Sequence, residues 1–224
     1  MRKADNEGPS HVLQYYRSGG TRPCLGQFSR LGNRLGYGPV TVAAVVLAAG
    51  GGTRFRGPEH KLVSAFRGRP LVWWALAAAA GAHLDEVAVI VGAVDLGVAV
   101  PDGVLVIENP DWATGQASSL QRALSWASER HHQAVVVGLG DQPLVPSAAW
   151  AAVARSPSPV AVATFDGQRR PPVRLERSVW SLLPTSGDEG ARALMKERPD
   201  LVTEVICEGL PVDIDNEEDL TLWN

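Results

Sequence analysis

The chain has 224 residues, a length that suits one α/β domain. Its 45% apolar and 20% charged content is that of a globular protein with a full core, and its net charge of −3 gives no reason to expect a nucleic-acid partner. Cys24 and Cys207 lack CxxC spacing, so no disulfide framework or zinc site is expected and a reducing cytoplasm fits. No apolar run approaches the length of a membrane span, so no membrane partner is expected.

Residues 1–39 differ in composition from the rest of the chain. They are rich in Gly, Arg, Ser and Asn, show no sustained apolar period, and carry six basic residues against two acidic ones. Their basic start lacks the apolar stretch of a secretory signal. The segment is therefore predicted to be a disordered or poorly packed extension, with a functional basic tail as the alternative.

The pattern of a folded domain covers residues 40–224. Val42 to Leu47 form a continuous apolar run bounded by polar or glycine residues, which predicts a buried parallel strand. Ser147 is predicted to cap one helix, and Asn216 with Asp219 resembles a capping box. Strands alternate with helices, which predicts a three-layer, doubly wound α/β fold with a mostly parallel sheet. Further strands are predicted at 86–91, 103–107, 134–138, 160–164, 173–175 and 203–206, and helices at 70–80, 117–128, 147–154, 179–183, 188–197 and from 217.

A glycine-rich segment follows the first predicted strand. It runs from Leu47 through three consecutive glycines to Arg54 and on to Lys61. Glycines let the backbone approach a phosphate and direct N–H groups at it, and the two basic side chains add charge. A dinucleotide fingerprint would need glycine at Phe55, and a Walker loop would need Lys-Ser or Lys-Thr after Gly57, so neither motif is present. The alternative is a plain glycine turn with a solvated arginine.

Acidic residues stand near the ends of two later segments. Asp141 follows the buried strand at 134–138, and Pro143 after it can hold a carboxylate that offers Mg²⁺ an oxygen ligand. Asp213 and Asp215 are two residues apart, so in a strand both would face the same side and one cation. Turn capping and the acidic preference of helix N-termini are the alternatives. Ligands of open α/β sheets bind at the carboxyl ends of the strands, where these acids and the glycine loop are expected to meet.

Five segments, taken in order, resemble the MobA-like nucleotidyltransferase family and, within it, the molybdenum cofactor cytidylyltransferases. The resemblance extends from about residue 42 to about residue 222. The segments that carry it are Leu47–Gly57 with Lys61, Asn109–Gly115 with Ser118 to Leu120, Gly140-Asp141-Gln142-Pro143, Gly187–Arg192, and Asp213–Asp215.

The resemblance implies the Rossmann-like fold of nucleotide-diphospho-sugar transferases. It implies transfer of CMP from CTP to the phosphate of molybdopterin, a phosphorylated pterin, with Mg²⁺ as cofactor and release of pyrophosphate. Within the family, Ala49 and Gln142 imply a pyrimidine rather than a purine nucleotide. A molybdoenzyme or its maturation factor is implied as a further partner.

The family motifs also imply a role for each matched residue. The implied catalytic residues are Arg54, Lys61 and Asp141, and the implied metal ligands are Asp141 and Asp215. The residues implied to surround the nucleotide are Leu47, Ala48, Ala49, Gly50, Gly51, Gly52, Asn109 and Ser119. Asp188 and Pro172 are implied to lie beside the acceptor.

Two departures from the family pattern leave alternatives open. Arg56 is an extra residue in the glycine-rich motif, and Arg170-Pro171-Pro172 stands where the family commonly has Gly-His-Pro near the acceptor. One alternative is a nucleotidyltransferase with another phosphorylated acceptor. The others are an NAD(P)-dependent oxidoreductase on the same scaffold and a non-catalytic nucleotide-binding or maturation partner.

Overall fold

The computed structural model describes residues 40–224, so the predicted extension over residues 1–39 lies outside the described part of the chain. None of the helices in residues 40–224 is long and apolar enough to cross a membrane. The strands are β1 (Val42–Ala48), β2 (Ala65–Phe66), β3 (Arg69–Pro70), β4 (Glu86–Val91), β5 (Leu105–Glu108), β6 (Ala134–Leu139), β7 (Val160–Phe165), β8 (Gln168–Glu176) and β9 (Val202–Ile206). The helices are α1 (Leu71–Gly81), α2 (Gln116–Glu129), α3 (Ser147–Ala154), α4 (Ala191–Glu197) and α5 (Glu217–Trp223).

Seven strands form one sheet in the order β5-β4-β1-β6-β8-β7-β9, while β2 and β3 form a separate small hairpin. The β1 strand pairs in parallel with β4 and β6, and two further parallel pairs join β4 to β5 and β7 to β9. The β8 strand is antiparallel to both of its neighbours. The prediction of a mostly parallel α/β sheet is therefore confirmed, with β8 as the exception.

Both faces of the sheet are buried, which explains the continuous apolar run of β1. Alternate β1 residues point to opposite faces. Ala43, Val45 and Leu47 join the core formed with α2 and α4. Residues 44, 46 and 48 join the core formed with α1 and α3. The result is three layers, helix–sheet–helix, with β1 near the centre.

Several predicted details differ in the structure. Ser147 is the first residue of α3 and makes no side-chain cap, because Pro146 occupies the N-cap position. Residues 211–215 are not a strand, so Asp213 and Asp215 are not held in strand alternation. Residues 177–182 form a 3-10 helix, and α4 begins at Ala191 rather than at residue 188. The predicted capping box of Asn216 with Asp219 is confirmed at α5.

The carboxyl ends of β1 and β6 lie side by side at one edge of the sheet. Their pairing runs to Leu47 opposite Leu139, and the Gly140 N–H donates to the Leu47 carbonyl at 2.9 Å. The glycine loop leaves the sheet after β1, and the Asp141 turn leaves it after β6. Because the two strands are parallel neighbours, both turns emerge at the same edge.

Candidate active site

The glycine loop after β1 is held by His60. The Leu62 N–H donates to His60 Nδ1 at 3.3 Å, which leaves Nε2 as the protonated nitrogen that donates to the Gly50 carbonyl at 3.0 Å. Burial lowers the pKa of the His60 imidazole, and the neighbouring Lys61 ammonium acts in the same direction. Gly52 has φ +58°, and a Cβ there would lie 2.9 Å from His60 Nε2. The loop conformation therefore requires glycine at this position, where the backbone lies against the His60 imidazole.

The charged side chains predicted from three separate motifs form one ion-pair network. Lys61 Nζ lies 2.7 Å from Asp141 Oδ2 and 3.2 Å from Asp215 Oδ1, and only 11% of the Lys61 side chain is exposed. Arg54 Nη1 lies 2.8 Å from Asp215 Oδ2. The two cations expected to meet phosphate are thus paired with the two carboxylates expected to meet a metal.

The carboxylates of this network fit a hard divalent cation. Asp141 Oδ1 is buried and has no hydrogen-bond partner within residues 40–224, which is the kind of oxygen that a cation satisfies. The described residues hold no group of three or more His, Cys, Asp or Glu side chains arranged for a metal. Mg²⁺ is commonly held by one or two carboxylates together with substrate phosphates and water, and Asp141 with Asp215 matches that donor set.

Asp213 does not join this network, although it is only two residues from Asp215. Its Oδ1 accepts a hydrogen bond of 2.8 Å from Gln142 Nε2. Burial raises the pKa of the Asp213 carboxyl, and the Gln142 bond opposes that shift. Gln142 is 3% exposed, and neither Gln142 nor Asp213 lines the cavity described next.

A cavity of about 390 Å³ opens over the glycine loop. Most of the residues predicted to surround the nucleotide line it: Leu47, Ala48, Ala49, Gly50, Gly51, Gly52 and Ser119. The predicted catalytic and metal-ligating side chains, Arg54, Lys61, Asp141 and Asp215, line the same cavity. Asn109 does not. It is buried, and its Nδ2 donates to the Ser118 and Ser119 hydroxyls at 2.9 and 3.0 Å.

Trp112 is a cavity residue that the sequence motifs did not single out. Its ring packs against the backbone of Gly51, where a Cβ would lie 3.2 Å from Trp112 Cζ3. A Cβ at Gly92, beyond the end of β4, would lie 2.6 Å from Trp112 Cβ. Trp112 lies within the Asn109–Gly115 segment, which resembles a nucleotide-lining segment of the family. A large aromatic residue in that segment was the sequence feature that could have predicted its place in the cavity.

A second cavity, of about 540 Å³, adjoins the first and shares Leu47, Gln116 and Leu139 with it. Of the two residues predicted near the acceptor, Asp188 lines the first cavity, where its Oδ1 accepts from the Gln116 N–H at 3.2 Å. Pro172 is buried and lines neither cavity.

Pro171, one residue earlier, does line the second cavity. The β7–β8 register shifts between Val162 and Ala163, which leaves Pro171 and Pro172 of β8 without partners on β7. Proline suits such a bulge because it has no N–H to donate to the ladder.

An α/β domain with a glycine loop, two basic side chains and two carboxylates at one sheet edge has the features of a transferase that acts on nucleotides. Residues 44–202 match the MobA-like NTP transferase domain. The chain belongs to this nucleotidyltransferase family.

Similar proteins span several activities. The chain is 35% identical over 109 residues to the bifunctional protein GlmU of Cutibacterium acnes, covering 46% of this chain but only a quarter of the length of that relative. It is 29% identical over 196 residues to nicotine blue oxidoreductase of Paenarthrobacter nicotinovorans, covering 80% of this chain and 94% of that one. Rv0371c of Mycobacterium tuberculosis H37Rv aligns with a TM-score of 0.71 at 26% identity, over 82% of this chain and 98% of that chain. A structure of Rv0371c with manganese aligns with a TM-score of 0.68.

Proposed function

We propose that the protein transfers CMP from CTP to the phosphate of molybdopterin and releases pyrophosphate. The observation that carries the transferase reaction is the Lys61 network, in which one ammonium contacts both Asp141 and Asp215 at the base of a glycine-lined cavity. The family match supports an NTP as the donor. CTP and the pterin acceptor rest on the resemblance of the Gly140 to Pro143 turn and its neighbours to the cytidylyltransferases.

The reaction forms one P–O bond and breaks another. An oxygen of the acceptor phosphate attacks the α-phosphorus of CTP, and the bond to the β-phosphate breaks as pyrophosphate leaves with its electron pair. The attacking phosphate is already anionic, so no strong general base is needed. Catalysis is then a matter of holding the two phosphates in line and neutralising charge.

The chain's own residues divide this work. The N–H groups of Gly50 to Gly52 are available to triphosphate oxygens once the loop is fixed by His60. Arg54 and Lys61 exchange their carboxylate partners for phosphate oxygens when the nucleotide enters. Asp141 and Asp215, released from those pairs, would be the residues that hold Mg²⁺. When bound, the cation supplies further neutralisation of phosphate charge.

The direct test measures pyrophosphate release by the purified chain with Mg²⁺, using each of the four NTPs with and without molybdopterin. The proposal predicts release with CTP and molybdopterin together and with no other combination. Release with CTP and a different phosphorylated acceptor would assign another acceptor to the same reaction. CTP binding without release under any condition would instead indicate a non-catalytic nucleotide-binding partner.

An oxidoreductase is the second candidate, because a relative of that name aligns with 80% of this chain. The chain lacks an intact dinucleotide fingerprint at its glycine loop. The two candidates separate in a titration with NADH, NADPH and FMN followed by absorbance and fluorescence. Saturable binding of a reduced cofactor, with its oxidation by an added acceptor, would favour the oxidoreductase, whereas unchanged spectra would leave the transferase.

A further inference from the structure

The second cavity has an apolar floor and a basic rim. Its floor is formed by valines from three adjacent strands, Val137 of β6, Val173 of β8 and Val162 of β7. Val173 is paired with Val137 on one side and with Val162 on the other, so the three side chains form an apolar row that a planar ring system can cover. The wall shared with the first cavity places a molecule bound here next to the nucleotide.

Charge distinguishes the two cavities. The first is lined by two basic and three acidic side chains, whereas the second is lined by four basic side chains, Arg169, Arg170, Arg192 and Lys196, and one acidic side chain, Glu189. A cavity with an excess of carboxylates suits a triphosphate bound together with a metal cation. A cavity with an excess of basic side chains suits an anion bound without a metal cation.

Within residues 40–224, three of the four cations form no ion pair with a carboxylate. Arg169 is the exception, and it pairs with Glu204 at 2.8 Å. Arg170 donates to two neutral oxygens, the Arg169 carbonyl at 3.3 Å and Gln168 Oε1 at 3.2 Å. Arg192 and Lys196 take part in no ion pair within residues 40–224, and they lie four residues apart on the same side of α4. Like charges at this spacing repel each other, so an anion bound between them would relieve an unfavourable contact.

On the basis of the transferase function proposed above, we propose that the second cavity selects an anionic acceptor with a flat apolar body, through Arg170, Arg192 and Lys196. These three cations and the one acidic side chain, Glu189, leave the lining with an excess of two positive charges. A phosphate monoester carries a charge of about −1.5 to −2 at pH 7, so a phosphorylated acceptor balances this excess and an uncharged one does not. Arg170 belongs to the Arg170-Pro171-Pro172 segment, which departs from the Gly-His-Pro common in the family, so the proposed preference is assigned to a residue of that departure.

The test uses fluorescent pterins of constant ring and increasing charge: 6-hydroxymethylpterin, its monophosphate and its diphosphate. Their affinities for the full-length protein are measured by fluorescence anisotropy without nucleotide. We expect affinity to rise along the series, by at least about tenfold from the uncharged to the diphosphate form, since charge-assisted hydrogen bonds are the strong ones. Equal affinity for all three probes would overturn the proposal.

Variants assign the binding to this cavity. Arg192→Gln and Lys196→Gln lie on the exposed side of α4 and should each weaken diphosphate binding by about five- to tenfold, with little effect on the uncharged pterin. The matched control is Arg155→Gln, which removes the same charge from an exposed position after α3 on the opposite face of the sheet. An Arg192→Gln variant that binds the diphosphate as tightly as Arg155→Gln does would contradict the proposal.

Failure of this inference differs from failure of the proposed transferase reaction. Probe binding requires no turnover, so selective binding by a protein that releases no pyrophosphate from CTP would retain the anion site and reject the reaction. Turnover with an unchanged KM for the acceptor in Arg192→Gln would retain the reaction and reject the site.

Discussion

Lys61 connects the two chemistries expected of this site, because its ammonium contacts one carboxylate from the turn after β6 and one from the segment before α5. The ammonium stands where the sequence predicts a metal between Asp141 and Asp215. Without nucleotide, the network neutralises carboxylates that would otherwise repel each other. Under the proposed function, each member would change partner when the nucleotide and the cation bind.

Replacement of Asp141 tests this dual role. Asp141→Asn keeps the size of the side chain and an oxygen for Lys61, but removes the charge that a divalent cation requires. We expect turnover to fall by at least about a hundredfold, the scale of losing one charge-stabilising group, with little change in the free energy of unfolding. Pyrophosphate release and urea denaturation measure the two quantities.

The matched control is Asp102→Asn, an exposed aspartate in a loop outside both cavities. Turnover of Asp141→Asn equal to that of this control would remove the metal role assigned to Asp141. A large loss of stability in Asp141→Asn would instead make the residue structural.

Gly52 offers a second test at the residue scale. Gly52→Ala places a Cβ 2.9 Å from His60 Nε2 and also forces alanine into φ +58°. Gly68→Ala is the control, because its φ is +75° and no atom lies within 4 Å of the added Cβ. Both variants should lose about 1–2 kcal/mol of stability from the backbone, but only Gly52→Ala should also weaken CTP binding, measured by calorimetry.

His60→Ala combined with Gly52→Ala separates the causes. If the contact with the imidazole displaces the loop, the double variant should recover part of the CTP affinity lost by Gly52→Ala. No recovery would mean that the contact with the imidazole is not the main cause, and that the backbone conformation or the lost His60 bond to the Gly50 carbonyl decides the affinity.

Glu86 joins elements at the opposite, amino-terminal end of the strands. Its carboxylate at the start of β4 pairs with Arg130, the residue after α2, and contacts His132 Nε2 at 3.1 Å. The hydrogen bonds from Arg130 are the main cause that lowers the pKa of the Glu86 carboxyl to about 2 from an ordinary value of 4.5. The carboxylate thus fixes the end of α2 against the sheet.

The pKa of Glu86 predicts how stability depends on pH. A carboxyl whose pKa is lowered in the folded state adds stability that is complete above the unfolded value of 4.5 and is lost as the pH falls toward 2. Glu86→Gln should therefore unfold at lower urea concentration than the wild type at pH 7, and the gap should narrow between pH 4.5 and pH 2. Glu197 is exposed and forms no ion pair within the described residues, so Glu197→Gln should unfold at the same urea concentration as the wild type. If the difference in unfolding midpoint between Glu86→Gln and the wild type did not depend on pH, the shape of the Glu86 side chain rather than its charge would matter.

The sequence pattern predicted the helices and strands with strong apolar periodicity. It missed details that depend on contacts with other residues. The β1 strand was predictable because a strand buried on both faces must be apolar throughout. The cap at Ser147 was wrong because Pro146 occupies the N-cap position. Asp213 does not face a shared cation with Asp215, and its carboxylate accepts a hydrogen bond from Gln142 instead. Local periodicity carries no information on such partners.

The candidate site likewise has one part that the sequence motifs predicted and one part that they did not. The motifs at Gly50 to Gly52, Asp141 and Asp215 were predicted to meet because parallel strands end at one edge, and the structure brings them together. The grouping of the second cavity's cations was not predicted, although Arg170 and Arg192 lie in segments compared with the family, since β8 and α4 contribute them from separate parts of the chain. Their convergence depends on the antiparallel insertion of β8 between β6 and β7, which no single motif encodes.

At the scale of the whole molecule, residues 40–224 contain a complete three-layer core and both cavities. Residues 1–39 carry a net charge of +4 against −7 for the remainder, and their composition predicts no packed core. We expect removal of residues 1–39 to leave the free energy of unfolding unchanged within about 0.5 kcal/mol, the range of substitutions that touch no packed feature. Pyrophosphate release should also be unchanged at physiological salt, where charges farther apart than about 8 Å are largely screened.

Salt concentration distinguishes the two roles that residues 1–39 could have. If the basic segment attracts the anionic acceptor, the deletion should raise the acceptor KM at low ionic strength and have no effect at high ionic strength, because long-range attraction is screened by salt. If the segment packs on the domain, the deletion should lower the unfolding midpoint in urea at every salt concentration. Loss of stability that is independent of salt would therefore contradict the prediction that residues 40–224 fold as a self-sufficient unit.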